Sequence, residues 1–244
     1  MLTREYFFWS VCAGTGAEEE RVLHYVCKAP GCSEKAASRY GVYCHSHRSR
    51  RRRHGAINQE AITKADLSIY RNLVRGRIEK NRDKELWDKL KLMWRAVIDD
   101  AQATLEQSRK GQAMPSFKRM TALELVKLSN AVKPEEVIET VLAMYVLHDQ
   151  EPRKIKSDRA FLTQMVRRVR GLTPLNAGSW TNGSTGKRKV AYKELSPRAV
   201  ECMGKRLAAV FGAAGVTLAR LERQDHEKRL RELTEYHQAL DDLQ

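Results

Sequence analysis

Four side chains able to bind a metal fall within one short segment: Cys27, Cys32, Cys44 and His47, spaced Cys-x4-Cys, an eleven-residue gap, then Cys-x2-His. The surrounding stretch, residues 27–55, has too few apolar residues to build a core of its own, so something other than hydrophobic burial must hold it. A structural zinc ion does this with four tetrahedral sulfur or nitrogen ligands presented as two short-range pairs. Cys27 and Cys32 can meet across the Pro30-Gly31 turn, and Cys44 and His47 can share the ion from a turn or helix start. The expected module is an N-terminal zinc-binding knuckle whose folding energy comes from metal binding. His45 is a substitute ligand, ranked below His47 because a two-residue spacer suits paired ligands. Disulfides or free thiols are the alternative, and a reducing compartment argues against the former. Four protein ligands leave no open position, so the ion is structural rather than catalytic. Cys12 and Cys202 are isolated and are expected to be buried thiols.

Five arginines in six positions, Arg48 and Arg50 to Arg53, follow the last ligand. They belong to the first of two basic zones. From Arg21 to Gly55 there are nine basic residues against one acid, Glu34; from Glu151 to Lys193 there are eleven against Glu151 and Asp158. The whole chain of 244 residues carries a formal net charge of +15, so the remainder is close to neutral. Charge confined in this way is the footprint of a polyanion-binding surface. A solvated surface selected for solubility would intersperse it. No apolar run approaches the roughly 18 residues of a membrane span. Tyr6-Phe7-Phe8-Trp9 is short and follows Arg4 and Glu5, without the pattern of a secretory signal. The expected location is cytoplasmic, in a bacterial host cell or its nucleoid, with no membrane partner.

The run Cys27, Gly31-Cys32, Gly41, Cys44, His47, Arg53-His54-Gly55 resembles a short Cys-Cys-Cys-His zinc motif of phage and mobile-element proteins, some of which are HNH endonucleases. The resemblance covers residues 27–55 only. Arg48 departs from it, standing where an aromatic often follows the histidine. The resemblance implies a bound zinc and an origin in a phage or other mobile element. An HNH nuclease is the catalytic alternative. It needs a base histidine, an asparagine and further ligands on a ββα unit, and the residues around His54 and Asn58 do not supply that set. No P-loop, GxSxG or paired-carboxylate motif is present, so no catalytic residue is assigned.

The rest of the chain reads as mainly α. Ala17–Tyr25 can form a short helix after Gly14-Thr15-Gly16. Leu86, Leu90, Met93, Trp94, Val97, Ile98, Ala101 and Leu105 recur at helical spacing, and the helix ends near Gly111. Residues 111–118 form a linker. Thr121-x-x-Glu124 reads as a capping box opening a helix to about Ala131, and Pro134-Glu135-Glu136 opens the next, to about Leu147. A third helix spans about Asp158 to Arg170. A hairpin follows between Ser179 and Tyr192, with Asn182-Gly183 and Gly186 as turn residues. Ser196-Pro197 starts a further helix. The terminal helix carries Leu230, Leu233 and Leu240, an apolar face that can support a homodimer. These elements suggest three domains: residues 1–56 with the zinc module, a helical hairpin over 57–112, and a helical domain over 119–244.

Three helices and a hairpin follow the order of a winged helix-turn-helix; a non-winged bundle with a surface hairpin is the alternative. In the winged reading, Thr163, Gln164, Arg167, Arg168 and Arg170 face a DNA groove. Lys187, Arg188 and Lys189 act as the wing, and Arg48, Arg50, Arg51, Arg52 and Arg53 grip phosphates. The expected function is a zinc-containing, sequence-preferring DNA-binding protein acting on double-stranded DNA, as a transcriptional regulator or accessory factor. RNA binding and a protein-interaction module are the other readings. RNA recognition calls for exposed stacking aromatics, and the aromatic content is 7%.

Overall fold

A computed structural model describes residues 25–174 and 177–241, with all their side chains except those of Ala177, Lys189 to Tyr192 and Leu240. The expected helix at Ala17–Tyr25 and the thiol of Cys12 lie outside the described residues. The chain divides into two compact units, Met1–Ser49 and Arg50–Gln244. Seven α-helices are described: α1 (His45–His54), α2 (Lys64–Lys80), α3 (Glu85–Arg109), α4 (Ser116–Ala131), α5 (Pro134–Gln150), α6 (Asp158–Arg170) and α7 (Pro197–Asp241). A short 3-10 turn, Pro152–Lys154, and one antiparallel hairpin of β1 (Ala177–Thr181) and β2 (Arg188–Tyr192) complete the order. The division between the units falls within α1.

The second unit is built around α5. All but one of the eleven positions from Val137 to Leu147 are buried, so this helix is enclosed on every side and needs neighbours all round. It packs against α2, α3, α6 and α7, and α4 closes the bundle against α3 and α7. Each fully enclosed side chain, such as Leu142 or Leu147, contributes about 1.5–3 kcal/mol of burial. Pro134 opens α5 at its first turn with Glu135 and Glu136 beside it, as its sequence implies. The stripe Leu90, Trp94, Ile98 and Ala101 on α3 is buried at the spacing expected.

Residues 57–112 and 119–244 share this core. Trp94 of α3 lies against Phe211 of α7 with ring centroids 6.3 Å apart, and one continuous cluster runs from Ile62 to Ala219. The linker after Arg109, with Gly111 at φ +82°, connects two helices of one bundle. Residues 64–109 form two helices, α2 and α3, joined by a turn at Asn81–Lys84. A capping box unread in the sequence starts α2: Thr63 Oγ1 accepts the amide of Asp66, and Asp66 accepts that of Thr63.

The expected capping box at Thr121 is a misreading. α4 starts earlier, at Ser116, and Thr121 lies inside it. The Thr121 hydroxyl donates to the Phe117 carbonyl at 2.9 Å and also lies 3.1 Å from the Ala199 carbonyl of α7. Glu124 pairs with Arg170 instead of turning back on its own helix.

Small residues let α7 lie close to its neighbours. A β-carbon at Gly215 would stand 2.4 Å from the Tyr145 ring, and one at Gly204 would stand 2.9 Å from Leu162 Cβ. Pro197–Ala239 is long and apolar enough to cross a membrane by length and composition, with an 18-residue window of mean hydropathy 1.2. Core helices meet the same criterion, and α7 packs on α4, α5 and α6.

Candidate functional site

The first unit folds its ligands together through turns. Ala29-Pro30-Gly31-Cys32 closes with the Cys32 amide on the Ala29 carbonyl at 3.1 Å, and Gly31 takes φ +71°. Proline followed by a glycine at positive φ is the signature of a type II turn. Val26 and Lys35 form a β-bridge, and the Cys27 amide donates to the Glu34 carbonyl at 2.8 Å. A second pair comes from the start of α1. The Arg48 amide bonds to the Cys44 carbonyl at 2.9 Å, and the His47 amide points to Cys44 Sγ at 3.5 Å. Cys44 is thereby fixed at the helix entry, with His47 one turn along.

These pairs converge. One ligand atom from each of Cys27, Cys32, Cys44 and His47 lies within 4.8 Å of the others. His47 Nδ1 is 3.5 Å from Cys27 Sγ and 3.2 Å from Cys44 Sγ. Bonds of about 2.0–2.3 Å place the corners of a zinc tetrahedron roughly 3.3–3.8 Å apart, so the cluster has the dimensions to hold a metal ion. His45 is exposed and stands outside the group, which decides between the two histidines. Cys27 and Cys44 are buried, whereas Cys202 in α7 is half-buried. Burial works to raise the Cys27 thiol, but hydrogen bonds from the Cys44 and Ala29 backbone and from the other two thiols bring it down to about 6. For Cys32 the backbone hydrogen bond at Glu34 favours the thiolate, yet burial and the neighbouring sulfurs leave it raised. A more acidic thiol at Cys27 beside a less acidic one at Cys32 is what competition between neighbouring sulfurs produces.

The second unit places the remaining candidates unevenly. Gln164 is fully buried: Oε1 accepts the Ile62 amide at 3.0 Å, and Nε2 lies 3.3 Å from both His54 Nδ1 and the His54 carbonyl. Thr163 is buried and bonded to the Arg159 carbonyl. Arg170 is nearly enclosed, with Nε on Glu124 at 3.1 Å and a terminal nitrogen on the Lys193 carbonyl at 2.8 Å. The face of α6 expected to read DNA is therefore turned inward. For Gln164 and Arg167 the reason is the segment from Arg53 to Ile62, which bonds to both, while Glu124 and the Lys193 carbonyl take Arg170. Gly55, at φ +95°, permits this: a β-carbon there would come 2.6 Å from Ala160 Cα. A winged helix-turn-helix with α6 as its reading helix does not describe this arrangement.

Arg167 and Arg168 are half-buried, while Arg50, Arg51, Arg52 and Arg53 are exposed. Arg48, in the first unit, is also exposed. In the hairpin, Lys187 and Arg188 are exposed and Arg188 reaches Ser179 Oγ at 3.0 Å. The hairpin itself forms as expected, with Ser179 opposite Val190 and Thr181 opposite Arg188. The side chain of Lys189 lies outside the described residues.

Two residues absent from the candidate set join Arg51 to Arg53. Glu194 bridges Arg52 and Arg53 at 2.7 and 2.8 Å. Arg159, in the first turn of α6, lines a small cleft with Arg51, Arg52 and Pro197. A basic residue at that end of a helix opposes the macrodipole, and that was the one local signal available. The HNH alternative has no support at His54, which packs on Gln164, and among the described residues the Cys27, Cys32, Cys44 and His47 group is the one that can hold a metal.

Comparison with known proteins gives no match: no protein-family model fits the chain, and no curated protein or solved structure is significantly similar to it.

Proposed function

We propose that the chain is a zinc-containing nucleic-acid-binding protein whose ligand is double-stranded DNA, acting as a regulator or accessory factor. The metal assignment rests on the donor set: three cysteine sulfurs and one imidazole within 4.8 Å of one another suit zinc. All four positions are protein ligands, so the ion shapes the N-terminal loop and does not present a reactive water.

The observation that carries the binding reading is a convergence within the second unit. Arg51, Arg52 and Arg53 come from one basic zone, and Arg159 and Arg167 from the other, more than a hundred residues away. They meet around Pro197 and Glu194. Like charges gathered in this way raise the local positive potential and attract a polyanion. Because Gln164 and Arg170 are committed to internal partners, phosphate contacts dominate this reading and base contacts are few. Lys187 and Arg188 on the hairpin extend the phosphate-contacting set.

The test is binding of a labelled duplex across a salt series, with a single-stranded RNA of equal length beside it and zinc quantified in the same preparation. Duplex affinity should fall steeply with salt, and changing Arg50, Arg51 and Arg53 together to Gln should weaken all sequences alike and flatten the slope. Selection from a random duplex pool then separates a regulator, which enriches a motif, from an accessory factor, which does not. Tighter binding to RNA would replace the DNA reading.

A further inference from the structure

Glu194 follows the hairpin and divides its two oxygens between two arginines. Arg52 donates to Oε2 at 2.7 Å and Arg53 Nε to Oε1 at 2.8 Å. Arg167 stands behind them. Its Nε is buried without a hydrogen-bond acceptor, and its Nη1 reaches only the Arg53 carbonyl at 3.3 Å. Arg159 borders the adjoining cleft, and the carboxylate there, Glu201, is paired with Lys205 at 2.7 Å. Among the described residues, Glu194 thus serves Arg52, Arg53 and Arg167, which have more guanidinium donors than one carboxylate can satisfy.

A carboxylate held between two guanidiniums offers two acceptor oxygens and one negative charge. A phosphodiester offers the same, and Arg forks fit both. The Arg52 and Arg53 side chains are 61% and 54% exposed and Glu194 is 34% exposed, so solvent reaches the pairs and they can exchange. We infer that Arg52, Arg53 and Arg167 form a binding site for one backbone phosphodiester, and that Glu194 is its built-in competitor, occupying the site in the free protein. This rests on the nucleic-acid reading above and adds the ligand class and its control. A lone inorganic phosphate must displace Glu194 for a single contact. A polyanion displaces it while gaining further contacts along the strand, so Glu194 selects for the polymer.

The experiment measures binding of a labelled 20-base-pair duplex by anisotropy at several salt concentrations. The variants are Glu194→Gln and, as a charge-matched control on the exposed end of α7, Glu235→Gln. Glu194→Gln should tighten binding roughly 5- to 10-fold and steepen the salt slope by about one counterion, whereas Glu235→Gln should change affinity less than about twofold. Adding Arg53→Gln to Glu194→Gln should erase the gain. Equal effects of the two acidic variants, or weaker binding by Glu194→Gln, would overturn the inference while leaving the nucleic-acid reading in place. Absence of duplex and RNA binding by the parent and by Glu194→Gln would overturn both. Thermal melts of each variant report whether the fold is kept, and if Glu194→Gln melts early, Glu194→Ala is read in the same series.

Discussion

Gln164 Oε1 accepts the backbone amide of Ile62 across 102 residues of sequence, at 3.0 Å, in a place with no access to solvent. The bond ties the segment leading into α2 to the middle of α6. Removing the amide leaves the Ile62 N–H buried without an acceptor. Gln164→Ala should therefore cost about 1–3 kcal/mol, read as a lower melting temperature. A variant melting with the parent would show that the bond does not hold the segment.

The same orientation fixes a proton. With Oε1 committed to Ile62, Gln164 Nε2 faces His54 Nδ1, and two donors cannot share that contact. Burial, then Arg167, Arg50 and Arg53, hold His54 below its ordinary value. The unfolded chain thus binds this proton at higher pH than the folded one, and stability rises with pH across that interval. The contribution is complete above about pH 6.5 and is lost as pH falls toward the depressed value. Melting temperature should decline on acidification from pH 7.5 to 5.5, and His54→Asn should reduce the slope. An unchanged slope in the variant would rule out His54 as the group responsible.

Gly55 cannot be exchanged for alanine without strain. Positive φ and a contact of 2.6 Å to Ala160 Cα act together, and the obstructing atom is backbone. Gly55→Ala should cost about 1–3 kcal/mol from conformation alone. Gly76, with open space where a β-carbon would go, is the control, and Gly76→Ala in the middle of α2 should be neutral or stabilising. Equal melting of the two would contradict the close packing on α6.

Metal stoichiometry distinguishes the histidines. The parent should hold about one zinc per chain, Cys44→Ser and His47→Ala should lose it, and His45→Asn should keep it. Elemental analysis after dialysis reads the result directly. Retention by His47→Ala with loss by His45→Asn would reassign the ligand.

Much of this molecule was legible from local pattern. Cys27, Cys32, Cys44 and His47 lie close in sequence and meet through short turns, so their spacing carries their geometry. Leu90, Trp94 and Ile98 repeat at helical spacing, and burial follows. The misread residues have distant partners: Thr121 with Ala199, Glu124 with Arg170, and Gln164 with Ile62. On a helical wheel Gln164 and Arg170 belong to the polar side of α6, and only distant partners, the 53–62 segment for Gln164 and Glu124 with Lys193 for Arg170, make that side an interior. Glu194 was overlooked for a similar reason, because a single acid in a basic stretch shows no sign of the arginines it joins.

From His226 to Asp241 every described side chain of α7 is exposed. Those turns bury no described side chain, and a helix of that length standing alone is marginal in water. They should open locally far more often than the bundle does. Trypsin should accordingly cut first at Lys228, Arg229 or Arg231, leaving a trimmed protein that resists digestion and unfolds at the parent's temperature.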